Sequence, residues 1–143
     1  MKIFIVYALK DKNNFEKVVS IIKRYGHEPV VLSDLPPRGT IFDKLISYSK
    51  KCDKAIVLYS GTDYGGQYVK NIEKFKPRRR ARENVVLELG LFIGLMQIKN
   101  VLILLNKNIN RKDLPSDLQG VETSNLCVPI QKLDKTIKLF LEQ

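Results

Sequence analysis

Glu88 is the only charged residue in Asn84-Val-Val-Leu-Glu-Leu-Gly-Leu-Phe-Ile-Gly-Leu-Met96, a run that otherwise reads as the spine of a buried helix. An ionised carboxylate in apolar surroundings is costly unless a cation, a hydrogen-bond donor or water reaches it. Its spacing leaves two readings open. Either the carboxyl sits at the helix rim and pairs with Arg82 or another cation of the arginine run before it, or it belongs to a buried network or a reactive site. Asn84 lies one turn earlier on the same helical face, placed to orient the carboxyl or to cap the helix. Other common chemistries lack their residues. His27 is the only histidine, in a Tyr-Gly-His-Glu-Pro turn that reads as surface, so Ser-His-Asp and Cys-His arrangements have no other base. Cys52 and Cys127 match no zinc or redox spacing, and no metal site is expected.

The elements that must position Glu88 follow from the apolar pattern. Lys2 to Tyr7 is a β-prone run, and Phe15, Val18, Val19 and Ile22 follow at helical spacing, with Asn13 or Asn14 as cap and Gly26 as stop. Pro29 to Leu32 predicts a short strand. Thr40-Ile-Phe-Asp43 has the form of a capping box opening a helix with Ile41, Leu45 and Ile46 on one face. Ala55 to Tyr59 shows no alternation and reads as a strand covered on both faces. Ser60 to Pro77 reads as a long loop, followed by a helix from about Arg79 to Met96, in which Gly90 and Gly94 would let the backbone approach the sheet. Val101 to Leu105, a weaker strand near Leu126 to Ile130, and a helix facing inward through Leu133, Ile137 and Leu141 complete the chain.

Strand and helix alternate throughout, which predicts an α/β, flavodoxin-like, doubly wound fold: about five parallel strands with helices on both faces. The 143 residues fit one domain, and 44% hydrophobic with 28% charged residues is a globular composition. No apolar run has the length of a membrane helix, and the first strand is too short to be a signal peptide. A cytoplasmic protein is the expectation. The net charge of +10, concentrated in Lys74 to Arg82, favours anionic partners. Nucleic acid is disfavoured, because Phe75 is the only aromatic residue within that run.

In doubly wound sheets ligands bind beyond the carboxyl ends of the strands. That directs attention to Tyr7 to Asn14, Ser33 to Thr40, Ser60 to Pro77 and Asn106 to Gly120, and makes Tyr7 and Ala8 candidate pocket residues. A Walker loop and a Gly-x-Gly-x-x-Gly fingerprint are both absent. The first strand ends Val6-Tyr-Ala-Leu-Lys10, with its first acid, Asp11, too late for a phospho-receiver and without the Ser/Thr-Gly loop of a flavodoxin.

Arg80-Ala-Arg-Glu-Asn-Val-Val-Leu-Glu-Leu-Gly90, the later Leu114-Pro-Ser-Asp-Leu-Gln-Gly-Val121, Phe4-Ile-Val-Tyr7 and Arg38-Gly-Thr-Ile-Phe42 together resemble the bacterial TIR-like domains described as predicted nucleotide-binding proteins. That family includes TIR domains fused to bacterial STING and those of cyclic-nucleotide-triggered antiphage systems. The likeness covers essentially the whole chain, read as a single TIR-like domain over residues 1–143. It implies cleavage of NAD+ between nicotinamide and ribose, with Glu88 matching the key glutamate and NAD+ as substrate rather than a cofactor. It raises Ser116 and Asp117, otherwise caps of a short helix, as pocket residues. Where many relatives carry Thr-Pro-Asp-Asp after the third strand, this chain has Tyr59-Ser-Gly-Thr-Asp-Tyr64, which leaves Ser60 and Asp63 as the candidate contacts there. Arg82, with Arg78, Arg79 and Arg80, would attract the pyrophosphate of NAD+ or pair with Glu83 and nearby acids.

The resemblance further implies a homo-oligomer formed by TIR–TIR contacts, with the loop Ser33 to Gly39 completing a neighbour's pocket. It also implies a sensor responding to a cyclic nucleotide signal, supplied by a partner or by a longer protein of which this chain is one domain. No membrane role is expected. Two alternatives stand beside the NAD+ glycohydrolase: a non-catalytic TIR nucleotide-binding or interaction module, and a deoxyribosyltransferase-like enzyme, which also uses a carboxylate on a related fold.

Overall fold

The computed structural model describes residues 1–36 and 39–143. In chain order the main elements are β1 (Lys2–Val6), α1 (Lys12–Arg24), β2 (Glu28–Val30), α2 (Ile41–Ser49) and β3 (Lys54–Tyr59). A hairpin of β4 (Asp63–Gly65) and β5 (Arg78–Arg80) follows, then α3 (Glu83–Met96), β6 (Val101–Leu105), β7 (Ser124–Asn125) and α4 (Ile130–Glu142). The predicted five-stranded parallel sheet is present, in the order β2-β1-β3-β6-β7.

The continuous apolar runs lie at the centre of the sheet because both of its faces are covered. Phe4, Val6, Val57 and Ile103 pack with Leu45, Val85, Leu89 and Phe92 of α2 and α3 on one face. The Phe4 and Phe92 rings lie 4.6 Å apart. Ile3, Ile5, Ile56 and Leu58 pack with Val18, Ile21, Leu133 and Ile137 of α1 and α4 on the other. Every residue of β3 is buried, including Lys54, whose ammonium group donates to the Phe140 carbonyl at 2.6 Å. Both edges of the sheet are short: β2 has three residues with Pro29 in the middle, and β7 has two.

Several elements differ from the sequence pattern. The long loop after β3 is largely present, but Asp63–Gly65 within it pair with Arg78–Arg80, which form a strand rather than the start of the helix; the helix begins at Glu83. Antiparallel pairing with Asp63–Gly65 overrides the weak strand preference of three arginines. The last strand is Ser124–Asn125, earlier than expected, because it pairs with Leu104 and Leu105 and α4 already starts at Ile130. Gly90 and Gly94 are exposed and a Cβ at either would meet nothing, so close packing on the sheet does not explain them. Neither Asn13 nor Asn14 caps α1, which starts at Lys12; Asn14 donates instead to the Asp11 carboxylate at 2.6 Å. Of the face expected on α2 only Leu45 is buried, while Ile41 and Ile46 are 59% and 37% exposed. His27 is half-buried, its Nδ1 3.3 Å from the amino group of Met1. Pro37 and Arg38, and with them part of the Ser33 to Gly39 loop and of the Arg38 to Phe42 string, lie outside the described residues.

The capping box is formed in full. Thr40 Oγ1 accepts from the Asp43 amide at 3.1 Å, and the Asp43 carboxylate accepts from the Thr40 amide at 3.0 Å. The Thr40 hydroxyl also donates to the Asp43 carboxylate at 2.8 Å, and this bond first, then the one from the Thr40 amide, holds the Asp43 carboxyl below its ordinary pKa. Thr40→Ala is expected to lower Tm by about 4 °C, the size of one lost N-cap in a domain of this length, in a thermal melt at pH 7. An unchanged Tm would mean that the cap adds nothing to the packing that already holds α2.

Candidate functional site

In a parallel sheet the crossover helices run against the strands, so the N-termini of α1, α2 and α3 gather at the strands' carboxyl ends. Glu88 stands in the second turn of α3, about 8 Å along the axis from its start, on the side of the molecule where β1, β3 and β6 end. Val85, Leu89, Phe92 and Met96 form the buried stripe of this helix. Glu88 follows Val85 by three residues and lies at the flank of that stripe, partly buried. Burial raises its pKa to about 7. Among the described residues it makes no ion pair, so the Arg82 pairing that spacing allowed is not formed.

A polar network spans the strand ends. Asp11, in a short turn after β1, is 8% exposed. Its carboxylate accepts from the hydroxyl of Ser60, the residue after β3, and from Asn14 Nδ2 of α1. Ser60 Oγ in turn accepts from Asn106 Nδ2, the residue after β6, at 3.2 Å. Asn108 closes the set, donating to the Gly61 carbonyl at 3.2 Å and accepting from the Gly61 amide at 2.9 Å. The ends of all three central strands are thus tied together by side chains.

The remaining candidates are spread over this end of the molecule. Ala8 is buried on the α2–α3 face, whereas Tyr7 turns to the other face and stacks on Phe15 at 4.0 Å. Alternation along β1 separates the two. Asn84 is exposed and is not the helix cap, a position taken by Arg82 without a side-chain bond. Asp63 is partly buried in β4, its backbone paired with that of Arg80. Ser116 and Asp117 are exposed in a short turn that neither side chain caps. The structure therefore brings Ser60 into a network and leaves Asn84, Arg82, Ser116 and Asp117 on the surface.

Asp11, Asn14, Asn106 and Asn108 were missed by sequence reasoning. Asp11 counted only as an acid too late for a receiver. Its partner Ser60 lies 49 residues away, and only the Asp-x-x-Asn spacing to Asn14 gave a local signal.

The arginine run is engaged one residue at a time. Arg78 pairs with Asp113 and Arg80 with Glu83, both at 2.8 Å. Arg79 donates to the Gly61 carbonyl at 3.1 Å, with its guanidinium 5.2 Å from the centre of the Tyr64 ring. Among the described residues no group of three or more His, Cys, Asp or Glu side chains could hold a metal ion, and no helix is long and apolar enough to cross a membrane.

Residues 2–127 match the family described as CAP12/Pycsar effector protein, TIR domain. An uncharacterised protein, YuaY, of Escherichia coli (strain K12) is 37% identical over 121 residues; the match covers 84% of this chain but 38% of that protein, so the chain spans well under half of its relative's length. The CMP N-glycosidase BcmB of Clostridium botulinum shares the fold, with a TM-score of 0.57 at 12% identity, covering 97% of this chain and 99% of the other. A 2-deoxyribosyltransferase of Bacillus psychrosaccharolyticus aligns with a TM-score of 0.46 at 13% identity, over 77% of each chain, too distant to carry weight.

Proposed function

Because the chain belongs to the CAP12/Pycsar effector TIR-domain family, we propose that it is an NAD+ glycohydrolase, releasing nicotinamide and ADP-ribose or a cyclic form of it. The observation that carries the reading is Glu88: a carboxyl without an ion-pair partner among the described residues, partly buried, on the helix that opens at the ligand-binding end of the sheet. The enzyme that shares this fold over nearly its whole length is named for breaking a bond of the same class.

The chemistry demands little beyond such a carboxylate. When the bond between ribose C1′ and the pyridinium nitrogen breaks, its electron pair leaves with nicotinamide, which departs neutral and needs no proton. Positive charge then develops on the ribose as an oxocarbenium-like centre. A fixed carboxylate opposes that charge and accepts hydrogen bonds from the ribose hydroxyls. Water adds at C1′ and loses a proton, giving ADP-ribose; an adenine nitrogen in its place gives the cyclic product. A raised pKa fits this task, because the incoming cation favours the ionised form of a carboxyl that is partly protonated at neutral pH.

In this reading Ala8, Ser60 and Asp63 border the nucleotide, Asn84 orients the carboxylate, and Arg82, Ser116 and Asp117 lie at the rim. The adjoining Asp11 network fixes Ser60. Activity is switched by self-association under a cyclic-nucleotide-responsive partner, and the setting is antiphage defence. Chromatography of concentrated protein incubated with NAD+ tests the reaction: free nicotinamide is the expected product. Retained nucleotide without product indicates a binding module, and base exchange between deoxynucleosides indicates a transferase. Turnover per molecule is expected to rise with protein concentration or forced clustering; a constant value across concentrations would overturn the self-association switch.

A further inference from the structure

Beside the mouth of the sheet, a cavity of about 550 Å3 lies against the β4–β5 hairpin, within the range of small-molecule sites. Its lining includes six cations, Lys74, Lys76, Arg78, Arg79, Arg80 and Lys112, against one acid, Asp113. Asp113 is taken by Arg78, and Arg80 has Glu83. The other four cations have no acidic partner among the described residues. Four cations without an acidic partner around one hollow repel one another, a cost that a bound anion removes.

Two of the guanidinium groups are held in place. Arg79 is anchored by the Gly61 carbonyl and the Tyr64 ring, which leaves its other N–H groups free to donate. The Arg80 side chain occupies the space beside Gly65: a Cβ there would lie 2.6 Å from its Nε and 2.7 Å from its Cζ. The absence of a side chain at Gly65 is what seats this arginine in the cavity. Positioned arginines present planar donor forks to phosphate oxygens, and flexible lysines add point charges.

We propose that this cavity binds the phosphate groups of a nucleotide, a diphosphate by the number of cations that converge on it. Convergence of the cations on one hollow, rather than along a stripe, favours a compact phosphate ligand over a nucleic-acid strand. The diphosphate comes from one of two sources. It is the substrate's own, which rests on the NAD+ reading above, or that of a separate nucleotide, which does not.

Calorimetric titration with inorganic pyrophosphate tests the site on the Glu88→Gln protein, where turnover plays no part. One pyrophosphate per chain is expected, weakened about tenfold or more by the Lys76→Gln/Lys112→Gln double substitution. Both lysines are exposed, so an unchanged Tm checks that the fold is intact. Gly65→Ala, which displaces Arg80 without changing any charge, is expected to weaken binding as well. No binding to the parent protein, equal affinity in the lysine variant, or lysine-dependent binding of a single-stranded oligonucleotide without pyrophosphate binding each overturns the proposal. If the substrate's diphosphate is the ligand, pyrophosphate competes with NAD+ and the lysine variant raises KM with kcat little changed. If a separate nucleotide is the ligand, binding persists without competition. Pyrophosphate binding without nicotinamide release would leave the site standing and sink the catalytic reading; release without binding would do the reverse.

Discussion

Glu88→Gln is expected to lower nicotinamide release from NAD+ by about 10²–10³-fold, the cost of removing a preorganised electrostatic partner from a developing charge. Glutamine keeps the shape and the hydrogen-bonding oxygen and loses only the charge, so the loss should appear mainly in kcat. Nicotinamide release by the parent protein should fall with pH, with an acidic limb in kcat/KM near pH 7, set by the raised pKa of Glu88 in the free protein. The limb in kcat should lie lower, because the bound pyridinium stabilises the carboxylate. Stability should move the opposite way. A folded-state pKa raised from 4.5 to about 7 means that the native protein binds this proton more tightly than the unfolded chain does. The contribution is fully present below about pH 4.5 and lost as pH rises through about 7. Solvent contact with a partly exposed group reduces the effect to about 1–2 kcal/mol. Glu88→Gln should therefore be relatively more stable at pH 8 than at pH 5, by denaturant melts at both. Undiminished nicotinamide release by this variant would end the catalytic assignment, whatever its stability.

The second large effect is expected at Asp11. Its carboxylate accepts from Ser60 and Asn14 in a site with little solvent, and hydrogen bonds to an ionised acceptor contribute about 1.5–3 kcal/mol each. Asp11→Ala leaves two donors facing a void and is expected to destabilise the fold by about 3 kcal/mol, lowering Tm by roughly 10 °C. A double-mutant cycle with Ser60→Ala should show coupling of about 1–2 kcal/mol, since each single change already removes the shared bond. Additive losses would mean that the two side chains act separately. Nicotinamide release should also fall in Asp11→Ala at temperatures where the protein remains folded, because Ser60 and the end of β3 are then no longer fixed.

The sheet was legible in the sequence for a simple reason. β1, β3 and β6 are buried on both faces, so each is written as an unbroken apolar run. The capping box was legible because both partners lie within four residues. What stayed hidden depends on pairing across distance. Arg78–Arg80 carry no strand signature and become one only opposite Asp63–Gly65. Asp11 looks like a surface acid until Ser60, Asn14 and Asn106 are brought to it. Glu88 stood out because a charge inside an apolar helix is visible locally; that it has no ion-pair partner among the described residues is a fact of three dimensions. Gly90 and Gly94 misled for the converse reason, since helical spacing does not reveal which way a glycine faces.

Pro29 sits in the middle of an outermost strand three residues long, and the opposite margin offers only two. A proline has no amide hydrogen to lend, and a stretch so brief gives little for an incoming chain to zip onto. Recruitment of many copies, if it drives turnover, must therefore proceed through helical surfaces and connecting segments rather than by continuing the sheet from one molecule into the next.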